Sequence, residues 1–324
     1  MLRRRVVGSG RLALVAGVVA LVALAGRPGL AQGTLRARII GQWRLISSEQ
    51  IFDGAAPVFS QGPSPSGMLT YTADGHMQGQ LGSTIRPKVR RAEATVEQQR
   101  ELLRTYTAYF GTFDVDERAG TVTHHRDGTL APGERDYVRT VVLSGNRLTL
   151  ITPTTVVDGK KRFLRTTWER LDPAAPAASY AAAARKAVVG TWELVEHKTT
   201  MATGEVRRNF GASPKGLFIF TEDGHTAVQI VNPERPATTL AKATDDEVRE
   251  LSRSYLAYFG SFDVDEATRK IVVHTTNDLN PINSGTDQIR FFELTGDVLV
   301  LQPAPAALPG GDQQVSRITW HRVK

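Results

Sequence analysis

Two pairs of side chains have the most to offer chemically, His124 with Arg139 and His274 with Arg290. Histidine changes its charge near neutral pH, and arginine is a permanent cation that donates to carboxylates, carbonyls and developing oxyanions. Placed together against an apolar interior, such a pair suits two tasks. One is binding of a small, partly apolar molecule whose carboxylate or carbonyl meets the arginine. The other is catalysis, an isomerase or hydrolase in which the histidine is the general acid/base and the arginine stabilises an oxyanion. Tyr106, Tyr109, Tyr255 and Tyr258 join the same candidate ligand-binding set. The plain alternative is structural: a buried arginine bonded to strand-end carbonyls and a satisfied core histidine.

Other chemistry is poorly supplied. His124-His125 looks like a metal pair, but adjacent strand residues point to opposite faces and cannot chelate one ion. Asp114-Val-Asp116 and Asp263-Val-Asp265 put two carboxylates on an outer face near a turn, far short of the ligand count calcium needs. His76 and His225 follow turns and are expected at exposed rims. With no cysteine there is no disulfide, thiolate metal site or cysteine nucleophile. Nucleophile elbows, phosphate loops, zinc-protease helices and dinucleotide fingerprints are absent from the sequence. No metal and no cofactor is expected.

The elements that must position these residues come twice. Gly41-Gln-Trp43 matches Gly190-Thr-Trp192 at an offset of 149, which also pairs Asp74-Gly-His76 with Asp223-Gly-His225, Arg86-Pro87 with Arg235-Pro236, and residues 104–117 with 253–266. Beyond that the offset slips, pairing His124 with His274, leaving Thr275 opposite His125, and pairing Arg139 with Arg290 and Trp168 with Trp320. In the first copy strands are expected at about 41–49, 67–72, 76–82, 111–116, 121–126, 135–143, 147–152 and 161–170. Eight short antiparallel strands joined by tight turns favour a closed up-and-down barrel, since closure removes the exposed edges. One helix interrupts each set. It starts at the capping boxes Thr95-Val-Glu-Gln98 and Thr244-Asp-Asp-Glu247, carries the tyrosines on its apolar face, and stops before Gly111 or Gly260. Alternation then turns Arg139 and Arg290 inward with Val141 and Phe292, and His124 and His274 inward beside Val122 and Val272. The tryptophans Trp43 with Trp168, and Trp192 with Trp320, close the barrel floors.

Gly-x-Trp in the first strand, the Thr-x-Asp-Gly-His hairpin, the Tyr-x-Ala-Tyr-x-Gly-x-Phe-x-Val-Asp segment and the final Trp-x-Arg resemble the bacterial and fungal lipocalin-like domain family in both copies, over about 35–171 and 186–323. The resemblance implies an all-β chain of two tandem eight-stranded antiparallel lipocalin-like barrels, each with one inserted helix and each holding a ligand. It implies no substrate.

The N-terminus reads as a signal peptide over 1–31: arginines at 3–5, an apolar run from Leu12 to Ala25, and small residues at Gly29 and Ala31. Its removal takes away five arginines and no acid, so the formal charge falls from +7 to +2. That balance excludes a nucleic-acid partner on charge grounds and leaves no stable membrane insertion. A periplasmic or secreted location follows. Residues 172–185, rich in alanine and proline, read as a linker between copies that fold independently. A third functional reading is a ligand-free module acting through the loops Phe52–Ser66 and His197–Lys215.

Overall fold

The computed structural model describes residues 33–177, 180–304, 306–307 and 313–324. The expected signal peptide lies outside them. The first copy runs α1 (Leu35–Ile39), β1 (Gly41–Phe52), β2 (Pro65–Tyr71), β3 (His76–Ser83), α2 (Val96–Arg104), β4 (Tyr106–Asp116), β5 (Thr121–Thr129), β6 (Asp136–Ser144), β7 (Arg147–Ile151) and β8 (Lys160–Arg170). The second repeats it with β9 (Gly190–Met201), β10 (Lys215–Phe220), β11 (His225–Val231), α3 (Asp245–Arg253), β12 (Tyr255–Asp265), β13 (Lys270–Asp278), β14 (Asp287–Thr295), β15 (Val298–Pro303) and β16 (Gln313–Arg322). Each β-sheet is antiparallel and closes on itself, β1 pairing with both β2 and β8, and β9 with both β10 and β16. These are the two tandem eight-stranded barrels that the sequence implies.

Local chemistry explains the boundaries. Both capping boxes form, Thr95 with Gln98 and Thr244 with Glu247. The helices nevertheless stop at Arg104 and Arg253, a turn and a half earlier than the apolar spacing suggested. The tyrosine-rich segment that follows is strand, because aromatic and β-branched residues gain more on a pleated, two-sided buried surface. Gly111 and Gly260 are therefore not helix caps. They sit at a bulge between β4 and β5, and between β12 and β13, where a Cβ would collide with the carbonyl oxygen of His125 or His274. At the hairpins Gly75 and Gly224 hold φ of 90° and 85°, as an Asp-Gly turn requires.

Alternation along β4 and β12 splits their side chains between two cores. Tyr109, Phe113 and Val115 enter the first barrel, with Trp43, Leu45, Leu69, Met77 and Trp168. Tyr258, Phe262 and Val264 enter the second, with Trp192, Phe218, Phe220 and Trp320. Both floor tryptophans are anchored alike, Trp43 Nε1 donating to the Ile39 carbonyl at 2.8 Å and Trp192 Nε1 to that of Val188 at 2.9 Å.

The opposite faces form a third core between the copies. Tyr106, Ala108, Phe110 and Leu103 of the first pack on Leu217, Ile219, Val231, Leu251, Tyr255 and Ala257 of the second. Three buried glutamines stitch this seam: Gln78 Nε2 donates to the Ala227 carbonyl at 2.6 Å, Gln80 Nε2 to that of Tyr258 at 3.1 Å, and Gln229 Nε2 to that of Tyr109 at 2.9 Å. The repeated Arg-Pro pairs cross over it. Arg86 donates to the carbonyls of Asp278 and Leu279 in the second copy, at 2.6 and 2.7 Å, and Arg235 reaches back to that of Thr129. Against the expectation of independently folding copies stands this shared core, one side of which each copy alone would expose.

The linker is held down as well. Ala177 N donates to Asp263 Oδ2 at 2.9 Å, the Asp172 carbonyl meets His225 Nε2 at 2.9 Å, and Arg185, in the 3₁₀ turn Ala182–Ala187, donates to Asp263 Oδ1 at 2.7 Å. His225 is consequently buried under the linker, not exposed at a rim, and His76 lies partly covered beside Glu193 of the second copy.

Candidate functional site

The first barrel brings together three of the residues singled out by sequence, His124, Tyr109 and Arg139. β5 turns His124 inward and fully buries it. Tyr71, the last residue of β2, places its hydroxyl 2.6 Å from His124 Nε2, and Tyr109 of β4 places its hydroxyl 3.1 Å from Nδ1. Burial first, and the nearby Arg139, His125 and Arg126 charges second, pull the His124 pKa down to about 3. The ring is neutral at physiological pH. A general base so far below the working pH is a weak one, which counts against the acid/base role.

Above this cluster the barrel opens into a cavity of about 520 Å³ whose lining includes Glu134, Asp136, Tyr137, Arg139, Arg162 and Leu164. Arg139 and Tyr137 enter from β6, Arg162 and Leu164 from β8, each by strand alternation. Two guanidiniums lie over the Tyr137 ring, Arg126 at 3.7 Å and Arg139 at 4.7 Å from its centroid. Arg139 donates to its neighbouring Val138 carbonyl at 2.9 Å. Among the described residues, neither Arg139 nor Arg162 has a carboxylate within ion-pair distance, whereas Arg165 on the outer face of β8 is paired with Glu49 at 2.5 Å. Isolated cations beside apolar walls are costly unless something pairs with them.

The second barrel has the same skeleton and different contents. Leu69, Tyr71, Gly79, His124 and Val141 of the first barrel correspond to Phe218, Phe220, Val228, Val273 and Phe292, all buried. Rings at centroid separations of 4.2 Å (Phe218–Phe220), 4.9 Å (Phe220–Phe262) and 5.4 Å (Phe218–Trp320) fill the interior. Phe210, standing where the first copy has Gln61, plugs the end. Arg290 does face inward, as its spacing implies, but it is occupied: it donates to Gln288 Oε1 at 2.9 Å and approaches the Tyr258 ring.

Three sequence expectations need correction. His274 does not enter the second barrel. Phe262 pairs with Val273 as Phe113 pairs with His124, so the offset of 149 persists through this strand and His274 matches His125. The two extra residues lie later, before β14, in the turn containing Pro281–Asn283. Both outer histidines sit between carboxylates, His125 between Asp114 and Asp136, His274 between Asp263 and Asp287. Tyr106 and Tyr255 also leave the candidate site: they face the seam, donating to Gln80 Oε1 at 2.9 Å and Gln229 Oε1 at 2.7 Å. Finally, none of the four tyrosines is helical. Conversely, Tyr71, Tyr137 and Arg162 were missed, although counting back in twos from Trp168 along β8 turns Arg162 inward.

The sequence comparisons agree with this architecture. The family described as "lipocalin-like domain" matches residues 40–171 and again 189–323. A 4'-hydroxy-3'-methoxypropiophenone carrier protein of Aspergillus oryzae (strain ATCC 42149 / RIB 40) is 29% identical over 97 residues, 28% of this chain and 87% of that protein. Among solved structures, a protein of unknown function from the DUF3598 family of Nostoc punctiforme aligns over 89% of this chain and 97% of its own, at 10% identity and a TM-score of 0.24.

Proposed function

Because the chain belongs, through both of its copies, to the lipocalin-like domain family, we propose that it is an exported small-molecule carrier whose first barrel holds a partly apolar ligand by a carboxylate or carbonyl oxygen. One observation carries this reading: Arg139 projects into an open 520 Å³ cavity and, among the described residues, forms no ion pair, although Glu134 and Asp136 stand in the same lining and Asp136 is bonded to His125. A volume of this order suits one small ligand. The relative named as a carrier of an aryl ketone is in keeping with it, since such a molecule offers a carbonyl to the guanidinium and a ring to Tyr137. The second barrel, filled by its own phenylalanines, serves as the structural partner that buries the seam. Export rests on the arginine-led apolar N-terminus; no helix of the described residues is long and apolar enough to cross a membrane.

The test uses methionine, which removes charge and keeps bulk, with 4'-hydroxy-3'-methoxypropiophenone as the probe. Arg139→Met should weaken binding about ten- to a hundredfold, the loss of one charge-assisted hydrogen bond, with the melting temperature unchanged or raised. Arg290→Met should leave probe affinity as it was. A large melting loss in Arg139→Met, with binding unaffected, would make Arg139 a structural residue and sink the assignment.

A further inference from the structure

The first barrel's three linked polar groups can be counted as donors and acceptors. A neutral imidazole has one N–H and one bare nitrogen, so of the two tyrosine hydroxyls bonded to His124 one donates to the ring and the other accepts from it. Burial decides which. Tyr71 is 1% exposed, and among the described residues its hydroxyl has His124 Nε2 as its one hydrogen-bond partner. Were Tyr71 the acceptor, its own O–H would be left buried and unmade, at the full desolvation cost of a polar group. Tyr71 must therefore donate to Nε2, and the short 2.6 Å separation suits an O–H donor. The ring proton then sits on Nδ1 and is donated to the Tyr109 oxygen, at the longer 3.1 Å expected of N–H···O.

That leaves the Tyr109 O–H without an acceptor among the described residues. Tyr109 is also the one member of the three with residual exposure, and its ring meets the edge of Tyr137, which lines the cavity. It lies across Gly79, where any side chain would press on its ring. Arg139 and Arg162 add further donors to the same space, whose carboxylates Glu134 and Asp136 are exposed, Asp136 being bonded to His125.

We propose that Tyr71 and His124 are positioning residues that fix the Tyr109 hydroxyl as a donor toward the ligand, so that the first barrel selects molecules bringing an acceptor oxygen and rejects hydrocarbon analogues of the same shape. This rests on the carrier reading of the first barrel. The second barrel has lost the device, with Phe220 and Val273 in place of Tyr71 and His124.

Two measurements test it. Long-range proton–nitrogen spectra of the ligand-free, full-length mature chain, with His124 assigned by loss of its signals in His124→Gln, should show a neutral ring protonated on Nδ1. Protonation on Nε2, or averaging between the two nitrogens, overturns the proposal. Next, propiophenone should bind more tightly than propylbenzene by about tenfold or more, because a buried donor left unmet penalises the analogue lacking an acceptor. Tyr109→Phe, with folding checked by its melting curve, should abolish most of that preference. A preference that survives in Tyr109→Phe overturns the donor role. If neither compound binds, the carrier reading falls and the spectrum alone decides the proton arrangement.

Discussion

Arg185→Met is expected to destabilise the chain by about 3–5 kcal/mol, lowering its melting temperature by on the order of 10 °C. Arg185 and Asp263 form a buried ion pair at 2.7 Å, with side chains 5% and 1% exposed. Asp263 also receives Ala177 N from the linker and His274 from β13. Removing the guanidinium leaves a carboxylate in the wall of the second barrel with less than its full complement, and it frees the Ala174 carbonyl that Arg185 also holds. The repeat supplies its own control. Arg36 is the counterpart in the first copy, but it stacks on Phe113 and donates to that residue's carbonyl at 3.3 Å, while the matching Asp114 is 82% exposed. Arg36→Met should therefore cost about 1 kcal/mol. Urea unfolding of the two variants side by side checks the contrast, and equal small losses would show that the linker clasp contributes little. The Arg185→Met loss should also depend on pH. Burial alone would lower the His274 pKa, but its bonds to Asp287 and Asp263 outweigh that and raise it. Its stabilising charge is present below the unfolded value of 6.5 and fades as pH rises through the folded value, so the variant should be weaker at pH of about 8 than at about 6.

Acid should destabilise the protein from pH 6.5 downward through its buried histidines. Burial lowers the pKa of His124 to about 3 and that of His197, in the second barrel, to about 4. Both folded values lie below the unfolded 6.5, so on acidification the unfolded chain takes up protons first. Stability is full above 6.5 and is lost as pH falls from there toward 3. His124 alone accounts for a loss on the order of 4–5 kcal/mol at the end of that window. The histidines whose values are raised, His76, His125 and His274, act above 6.5 and add stability as pH falls toward it, whereas Asp278, which burial raises to about 6, offsets part of the loss below that value in parent and variant alike. The double variant Tyr71→Phe with His124→Val installs the pair found in the second barrel and removes both the titrating ring and its hydroxyl partner. Its stability between pH about 6 and 4 should fall by several kcal/mol less than that of the parent. A parallel fall in both proteins would mean that His124 is not held neutral.

How much of this was legible beforehand differs from element to element. Gly-x-Trp, Asp-Gly-His and the capping boxes are local signals, and each produced the turn, strand or cap that its chemistry dictates. The barrel and its repeat followed from them. Tyr106 and Tyr255 were misassigned because Tyr-x-x-Tyr-Phe satisfies helical and strand spacing alike, and what decides between them is a partner barrel invisible in a single copy. His274 was misassigned by one residue because two histidines stand together in the first copy and one in the second. In a strand an error of one exchanges inside for outside. Arg139 was placed correctly by alternation with Val141 and Leu143. The inequality of the two interiors lies in substitutions such as Gly79 to Val228 and Val141 to Phe292, and it becomes readable only once those positions are known to share one barrel interior.

One barrel of the two is expected to hold the ligand. Native mass spectrometry of the purified chain, titrated with 4'-hydroxy-3'-methoxypropiophenone, measures this directly. One bound molecule per chain is expected at saturation, absent or much reduced in Arg139→Met and retained in Arg290→Met. Two molecules per chain, or a single one lost with Arg290 instead of Arg139, would contradict the account.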